Sequence, residues 1–317
     1  MPSYNGSQIH VDGPLSNLAT AYTNHELIGL RLAPEVMVEK TSDKFFKRNK
    51  ENGFAFLGQP VVGNLEVPAL IDQGVTLVSF ACEDYSLQAK VSQRDQQNAD
   101  APLNLMQDAA LDVAYQLRLA QEIRIADLLQ TSGNYASANT TTLSGSDQWD
   151  SAGYGDPLGV IDDLCAEIYP APNTRLVAWM GLDVWLKLKR HPQILGLVNG
   201  GATTNAAAMV TMQKMAELLE VDEVVVGKAY KQTNNPGASA STSRVWGKYF
   251  GISRVASSAT TRTLHLASSF AFGGMNTFTW YDQEPGLLGA WHVKNSHSTD
   301  EKIVADDAGC LIVSPIA

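Results

Sequence analysis

The sequence feature that most constrains the fold is a long amphipathic helix, predicted to begin directly after Pro102. Asn104 is a residue type that caps helix N-termini, and Gln107 stands at the reciprocal position of a capping box. Apolar residues then recur at spacings of four and three, namely Met106, Ala110, Val113, Leu117 and Ala120. The pattern predicts one helix that ends near Leu129 and is about 37 Å long. Such a helix is long for a globular protein.

Residues 36–80 are predicted to form a long, two-sided β-hairpin. Apolar residues stand there among frequent turn formers, namely Gly53, Gly58, Pro60, Gly63, Pro68 and Gly74. Turn residues at this density favour a hairpin over a compact sheet. The segment contains four phenylalanines: Phe45, Phe46, Phe54 and Phe56. Exposed phenylalanines on a hairpin are an aggregation hazard unless a partner covers them, so the hairpin points to an obligate assembly. The alternative is that Phe54 and Phe56 belong to the subunit's own core.

The middle of the chain alternates between strands and helices. Strands are predicted over 175–180 and 224–226, and helices over 182–190 and 206–219. This alternation is typical of a compact α/β lobe, which we expect to extend from about residue 172 to 250. Only strands are predicted after the lobe.

The segment between the long helix and the lobe has two parts. From Thr131 to Gly155 it is rich in Ser, Thr, Asn and Gly, which favours a surface loop. Asp156 and Pro157 then supply an N-cap and a first-turn proline, so a helix is predicted to start there and to stop at Pro170.

The composition is that of a globular protein and excludes several functions. Hydrophobic residues make up 44% of the 317 residues, and the formal net charge is −10. This charge argues against a protein that binds by neutralising nucleic-acid phosphates. The three cysteines, Cys82, Cys165 and Cys310, have no CxxC spacing and cannot all pair within one chain, so we expect buried thiols in a reducing compartment. Neither a signal peptide nor a membrane span is expected from the sequence.

The sequence contains none of the common catalytic or metal-binding signatures. We find no P-loop, GxSxG elbow, HExxH or calcium-loop pattern, and no two of the six histidines have metal-site spacing. His191, at a predicted helix end, is expected to cap that helix as a cation. The pairs Asp162-Asp163 and Asp306-Asp307 are expected to be solvated charges. The sequence therefore predicts no catalytic residue, cofactor or metal ion, and a protein that is not an enzyme.

Several segments, in unbroken order over roughly residues 30–250, resemble one protein family. They are Cys82–Leu87, Asn98–Leu103 before the long helix, Leu143–Gly145 with Gln148 and Trp149, Asp156-Pro157, Pro172–Thr174, Trp185 through Ile194, Val224–Gly227 and Trp246–Lys248. Together they are similar to the major capsid proteins of tailed bacteriophages with the Hong Kong 97 fold. Their order is more specific to this family than any single motif.

The resemblance implies an α+β subunit with the Hong Kong 97-type capsid fold. Its expected parts are an N-terminal arm at 1–40, an extended loop formed by the β-hairpin at 41–80, a peripheral domain at 81–171 with a long spine helix at about 105–129, an axial α/β domain at 172–260, and C-terminal strands at 261–317 that return to the peripheral domain. If Met1 is the natural first residue, we expect any scaffolding function to come from a separate protein or to be absent.

The resemblance also implies a function. The chain is expected to be a structural major capsid protein that self-assembles into the hexamers and pentamers of an icosahedral phage head enclosing double-stranded DNA. Its expected location is the virion, after assembly in the host cytoplasm. Expected partners are further copies of the chain, the portal, scaffolding or decoration proteins where these are used, and DNA in weak non-specific contact, with no membrane. Two alternatives are an encapsulin-like nanocompartment shell and a hydrolase or binding protein that uses the lobe.

The predicted contact between subunits joins a basic hairpin to an acidic helix. The hairpin has Lys44, Lys47, Arg48 and Lys50 among its aromatic residues. The neighbour's long helix offers Asp108, Asp112, Glu122 and Asp127, next to Arg118 and Arg124. Opposite charges are expected to guide the encounter, and burial of the phenylalanines to supply most of the affinity. The candidate contact residues are Phe45, Phe46, Lys47, Arg48, Lys50, Phe54, Phe56, Asp108 and Asp112.

Overall fold

The computed structural model describes residues 10–11, 27–47, 67, 76–99, 103–151, 153, 155–171, 173–198, 210–233, 241–258, 260 and 263–317. Residues 48–75, apart from Val67, lie outside this set. Four of the predicted contact residues are therefore not described: Arg48, Lys50, Phe54 and Phe56.

The described strands are β1 (His10–Val11), β2 (Glu35–Val38), β3 (Ser42–Lys47), β4 (Thr76–Ala81), β5 (Glu83–Ser92), β6 (Thr140–Thr142), β7 (Thr174–Gly181), β8 (Glu223–Gly227), β9 (Tyr230–Gln232), β10 (Thr242–Arg244), β11 (Tyr249–Ala256), β12 (Ala267–Asp282), β13 (Ala290–Ile303) and β14 (Gly309–Val313). The described α-helices are α1 (Gly29–Leu32), α2 (Gln93–Asn98), α3 (Leu105–Gln130), α4 (Pro157–Glu167), α5 (Leu182–Leu188), α6 (Pro192–Val198) and α7 (Met212–Leu218).

Five strands form a sheet around one long antiparallel ribbon, and we call it the ribbon sheet. β12 and β13 make the ribbon, β5 lies beside β13, and β1 and β2 lie beside β12, with β2 parallel to it. The register of the ribbon shifts between Phe272 and Asn276, where Gly273 and Gly274 have φ angles of 74° and 67°. Glycine adopts such angles without steric cost, so this pair allows a bulge in the ribbon.

The second five-stranded sheet, in the order β6-β14-β11-β7-β8, is called the lobe sheet. Both of its faces are buried: on β7, Ala178 and Met180 face one apolar cluster, whereas Val177 and Trp179 face another. Helices α4 to α7 contribute to the first cluster, and α1 and α3 to the second. Strands buried on both faces are apolar along their whole length, as Val224–Val226 is. The predicted alternation of strands and helices in the lobe is confirmed.

The long helix predicted after Pro102 is present as α3. The Asn104 side chain accepts a hydrogen bond from the Gln107 backbone N–H at 3.3 Å, as a capping residue should. Along α3, Ala114 and Leu117 pack with Met275 of the ribbon sheet, whereas Ile125 and Leu129 belong to the second cluster of the lobe. The helix therefore connects the two sheets.

The polar segment after α3 lies mostly at the surface, as its composition predicts, but parts of it are built into the lobe. Its strand β6 pairs in parallel with β14, and Tyr135, Asn139 and Trp149 are buried. Two of these residues have hydrogen-bond partners: the Asn139 amide donates to the Gly309 carbonyl at 2.9 Å, and the Tyr135 hydroxyl donates to the Leu129 carbonyl at 2.8 Å. The buried Nε1 of Trp149 has no partner among the described residues. Burial of polar residues is tolerated when their hydrogen bonds are satisfied, and composition alone does not show this.

The C-terminal strands divide between the two sheets. β12 and β13 lie in the ribbon sheet with β5. β14 instead pairs with β11 and β6 in the lobe sheet. The reason lies in the sequence Gly309–Val313, whose first four residues are fully buried and need a sheet covered on both faces.

Two helix ends were predicted with different success. At α4, Asp156 accepts a hydrogen bond from the Gly159 backbone N–H at 3.1 Å and Pro157 occupies the first turn, as predicted. His191 was expected to be a capping cation after α5, but it is buried, and its Nδ1 accepts from the Gln193 N–H at 3.3 Å in the first turn of α6. His191 therefore contacts the N-terminal end of the following helix instead of capping the C-terminal end of α5. Among the described helices, none is long and apolar enough to span a membrane.

Candidate assembly hairpin and the contacts of the long helix

The base of the predicted hairpin is formed by β3 and β4. In their antiparallel register Phe45 lies opposite Val78, and Phe46 lies opposite Leu77. Because successive side chains of a strand point to opposite faces, the first pair lies on one face of the hairpin and the second pair on the other. The two phenylalanines therefore have different environments.

The inner face of the hairpin is part of the subunit's own core. Phe45 is 1% exposed, and its ring centroid lies 5.2 Å from that of Phe270 on β12, which also stacks on Phe80 at 4.6 Å. The prediction that Phe45 is covered by a neighbouring subunit is wrong. Its partner Phe270 is 225 positions away in the chain, and no local pattern reveals that contact.

The outer face presents an apolar pair to solvent. Phe46 is 42% exposed and Leu77 is 53% exposed, and the two lie directly across the strand pair from each other. Lys44, also exposed, lies two residues from Phe46 on the same face. The outer face therefore has the two chemical features, apolar and basic, that the sequence assigned to the whole hairpin.

Lys47 has an acidic partner within its own chain. Its Nζ lies 2.7 Å from Oδ2 of Asp306, in the loop before β14. The contact of Lys47 with an acidic helix of a neighbour stays a prediction, and the lysine side chain is 28% exposed. The same contact corrects the view of Asp306 as a purely solvated charge, and its neighbour Asp307 is buried.

The acidic residues of α3 do not share one face. Asp108, Asp112 and Asp127 are exposed and available to a partner. Glu122 is 2% exposed and lies inside the subunit, so the prediction that it attracts a neighbour's hairpin is wrong. Arg118 and Arg124, expected beside these carboxylates on the surface, point into the ribbon sheet.

Charged groups fill the contact between α3 and the ribbon sheet. Arg118 Nη1 lies 2.5 Å from Oε1 of Glu35, and Arg124 donates from Nε and Nη2 to the two carboxylate oxygens of Glu301 at 2.9 and 3.1 Å. The Arg124 guanidinium also lies 3.8 Å from the ring centroid of Tyr85. Two-point Arg–carboxylate pairs fix orientation as well as distance, so this polar layer sets the position of the helix on the sheet.

His297 belongs to the same polar layer. Its Nε2 lies 3.8 Å from Oε1 of Glu35, and the residue is buried. Burial lowers the pKa of the imidazole; Glu35 and Glu301 oppose this effect, and Arg118 and Arg124 add to it. The layer therefore contains, beside its ion pairs, a histidine whose pKa is lowered by burial.

Glu122 accepts hydrogen bonds from three different parts of the chain. Its Oε1 receives the Ile28 N–H at 2.9 Å and the Trp246 indole N–H at 2.6 Å, and its Oε2 receives the Gly29 N–H at 2.6 Å. Burial raises the pKa of this carboxyl, and the three hydrogen bonds act in the opposite direction. Sequence reasoning missed this junction, because nothing local to Ile28, Glu122 or Trp246 indicates that they meet.

The described residues offer little for catalysis. No group of three or more His, Cys, Asp or Glu among them could hold a metal ion. His265 Nε2 does lie 2.5 Å from the Ser268 hydroxyl, but both residues are 0% exposed, so no substrate can reach the pair. The notable contacts of this chain are structural.

No protein-family model matches the chain. Named relatives, however, match over most of its length. The chain is 29% identical over 310 residues to the major capsid protein of Pseudomonas phage JBD67, which covers 97% of both chains. It is 30% identical over 224 residues to the major capsid protein of Burkholderia phage BcepMu, which covers 69% of each. The chain belongs to the phage major capsid proteins. Its relatives therefore support the phage capsid role over the encapsulin-like alternative.

Solved structures show the same fold. A phage-related protein from Bordetella bronchiseptica has a TM-score of 0.76 at 20% identity, over 97% of this chain and 98% of the other. The capsid protein of a native GTA particle has a TM-score of 0.57 at 10% identity, over 98% and 94%. The capsid protein of cyanophage P-SCSP1u has a TM-score of 0.57 at 8% identity, over 89% and 86%. This major capsid protein thus has the α+β, Hong Kong 97-type fold that the resemblance implied, and self-assembly into a capsid shell is its role.

Proposed function

We propose that this subunit forms the hexamers and pentamers of an icosahedral phage head around double-stranded DNA, and that it has no enzymatic activity. The observation that supports the assembly contact most directly is the outward pair of Phe46 and Leu77, on a hairpin whose inner face is packed into the subunit's own core. An exposed apolar pair on a firmly held strand pair is suited to bind a further copy of the chain.

The two faces of the hairpin have different roles in the proposed assembly. Burial of Phe45 against Phe270 fixes the direction in which the hairpin leaves the subunit. Burial of Phe46 and Leu77 by a neighbour then contributes on the order of 25 cal/mol per Å² of apolar area. In a closed ring each subunit contacts one neighbour through the outer face of its hairpin and is contacted by the hairpin of the other neighbour. A modest free energy of association per contact is therefore multiplied by the number of subunits in the ring.

Charge is proposed to orient the contact rather than to hold it. Lys44 on the outer face of the hairpin is exposed, as are Asp108 and Asp112 in the first turns of α3. Opposite charges at the rim of an interface mainly raise the association rate and exclude wrong orientations. Asp108 and Asp112 therefore remain the proposed partners of the hairpin on the neighbouring subunit.

The proposal keeps the five parts expected from the resemblance, with one change. The arm is assigned to 1–40, the extended loop to 41–80, the peripheral domain to 81–171 and the axial domain to 172–260. Residues 261–317 are shared, because β12 and β13 lie in the ribbon sheet and β14 lies in the lobe sheet. The proposed further partners are the portal, scaffolding or decoration proteins, and DNA held weakly because the net charge is −10. Assembly is placed in the host cytoplasm.

The variant Phe46→Asp tests the proposed contact. Wild-type protein should sediment as large closed particles and show them in negative-stain microscopy, whereas Phe46→Asp should remain as subunits or small oligomers. Because Phe46 is 42% exposed, both proteins should have the same melting temperature within a few degrees. The matched control Phe46→Leu keeps an apolar side chain and should restore particles.

Each part of the proposal has its own contrary result. Normal particles from Phe46→Asp would show that the outer face of the hairpin is not an assembly contact. Wild-type protein that forms no particles under any assembly condition, or particles that protect a cargo protein instead of nuclease-resistant DNA, would contradict the proposed shell function itself.

A further inference from the structure

We propose that Glu122 is a latch that couples the strap, residues 27–33, to the position of Trp246 in the lobe, so that displacement of either one loosens the other. The strap includes helix α1 and lies against α3 and the lobe. The coupling is a property of a single subunit and does not depend on the shell.

The strap and Trp246 share one carboxylate. Oε1 of Glu122 accepts from both the Ile28 N–H and the Trp246 indole, while Oε2 accepts from the Gly29 N–H. Two donors on Oε1 and a third on Oε2 hold the carboxylate in a single orientation. Loss of the indole donor lets the carboxylate rotate, and rotation weakens the bonds to the strap, because hydrogen bonds in such networks strengthen one another.

Glu122 has no cationic partner among the described residues. None of the ion pairs found in the described part of the chain includes Glu122, and its three donors are all neutral. When one neutral donor is removed, the buried carboxylate has too few hydrogen bonds for its charge. The remaining hydrogen bonds are then less favourable, including those to the strap. The strap has little to replace the lost bonds: α1 has only four residues, too few for a helix to be stable by itself.

The carboxylate fits closely against its neighbours on both sides. A Cβ atom added to Gly29 would lie 2.5 Å from Oε2 of Glu122, so the strap reaches the latch only because residue 29 is glycine. On the lobe side the Trp246 ring meets Trp179 edge to face, with centroids 5.3 Å apart. Trp179 lies on β7 within the lobe sheet, so a shift of that sheet moves the indole donor directly.

Other contacts of the strap hold it without linking it to Trp246. Ile28 and Leu32 are buried, which favours the closed strap. Arg31 forms an ion pair with Glu223 of β8, but the arginine side chain is 51% exposed, and such surface pairs contribute little. Apolar burial therefore holds the strap against α3 and the lobe. Glu122 determines whether a displacement of Trp246 in the lobe weakens that attachment.

Hydrogen–deuterium exchange of unassembled, full-length subunits tests the latch. Trp246→Phe keeps an aromatic ring but removes the indole N–H, and amides in residues 27–33 should exchange about tenfold faster, as expected for loss of a hydrogen bond to a charged group. The matched control is Trp149→Phe, which makes the same change at a buried ring of the first lobe cluster, on the opposite face of the lobe sheet from Trp246. In that control the exchange rates of the strap amides should rise no more than those of the other lobe amides.

Gly29→Ala provides a second test that leaves the lobe intact. The added Cβ meets Oε2 of Glu122 whether or not the carboxylate couples the strap to the lobe, so faster exchange of the strap amides is expected in either case. With the latch, the displacement of Glu122 also reaches the lobe, and the amides next to Trp246 should exchange faster. The coupling is overturned if Trp246→Phe and Trp149→Phe give equal strap exchange, or if Gly29→Ala leaves exchange next to Trp246 unchanged. Neither outcome bears on whether the subunit forms shells.

Discussion

The two sheets of this capsid subunit are covered by helices in opposite ways. The lobe sheet is apolar on both faces, with Phe250, Ile252 and Met180 at 0% exposure. The ribbon sheet meets α3 through Arg118, Arg124 and their carboxylate partners, and the adjacent apolar cluster consists of little more than Ala114, Leu117 and Met275.

The difference indicates a division between stability and orientation. Apolar burial contributes stability roughly in proportion to area and has little directional preference. Ion pairs in a buried layer contribute less net stability, since each charge must lose its hydration, but a two-point pair is satisfied at only one position of the helix. We therefore expect the lobe to supply most of the free energy of folding, and the polar layer to determine how α3 lies on the ribbon.

The largest effect is expected in the lobe. Phe250→Ala removes a fully buried ring that meets Trp149 edge to face at 5.5 Å, and it should lower the free energy of unfolding by about 3–5 kcal/mol. Chemical denaturation of unassembled subunits measures this loss. A cost below about 1 kcal/mol would break the comparison, because the lobe would then not be the stable part.

A smaller effect is expected in the polar layer. Arg124→Ala leaves the Glu301 carboxylate, whose side chain is 6% exposed, without its two-point partner, and should cost about 2 kcal/mol. The double variant Arg124→Met, Glu301→Leu replaces both charges by apolar groups and should recover more than half of that loss in the same denaturation assay. A double variant less stable than the single one would show that the ion pair itself stabilises the subunit.

The smallest effect is a pH dependence. His297, faced by Glu35, Glu301, Arg118 and Arg124, has a pKa lowered mainly by burial from its ordinary value of 6.5. The folded state then binds fewer protons than the unfolded state, so stability is complete above pH 6.5 and falls as the pH drops towards the lowered value. In His297→Gln this fall should be smaller. Some of it should remain, because burial also lowers the pKa of His265 and His292. If the pH dependence of stability is the same in His297→Gln and the wild type, His297 does not contribute to it.

The parts of the fold that were predicted from the sequence are those that depend on neighbours in the chain. The caps at Asn104 and Asp156 were recognisable because a cap and the amide it binds are three residues apart. Of the five residues in the predicted apolar stripe of α3, Ala110, Val113 and Leu117 are buried, whereas Met106 and Ala120 are half-buried.

The parts that were missed depend on contacts distant in the chain. Phe45 and Phe46 have the same chemistry, and only the position of Phe270 decides which of them is buried. Glu122 looks like any exposed acidic residue of a helix until Ile28 and Trp246 are brought to it. Tertiary contacts of this kind override local propensity, and for that reason the candidate site was only partly predicted.

The opposite orientation of Phe45 and Phe46 restricts how this hairpin can vary in evolution. Substitutions at Phe46 alter one face only, so drift among apolar side chains there is tolerable. Deletion of a single residue ahead of Phe45 in β3 would rotate every following side chain of the strand to the other face and exchange the buried phenylalanine for the exposed one. Insertions and deletions before this pair in β3 are therefore expected to involve two residues at a time. Substitutions, in contrast, can occur one at a time.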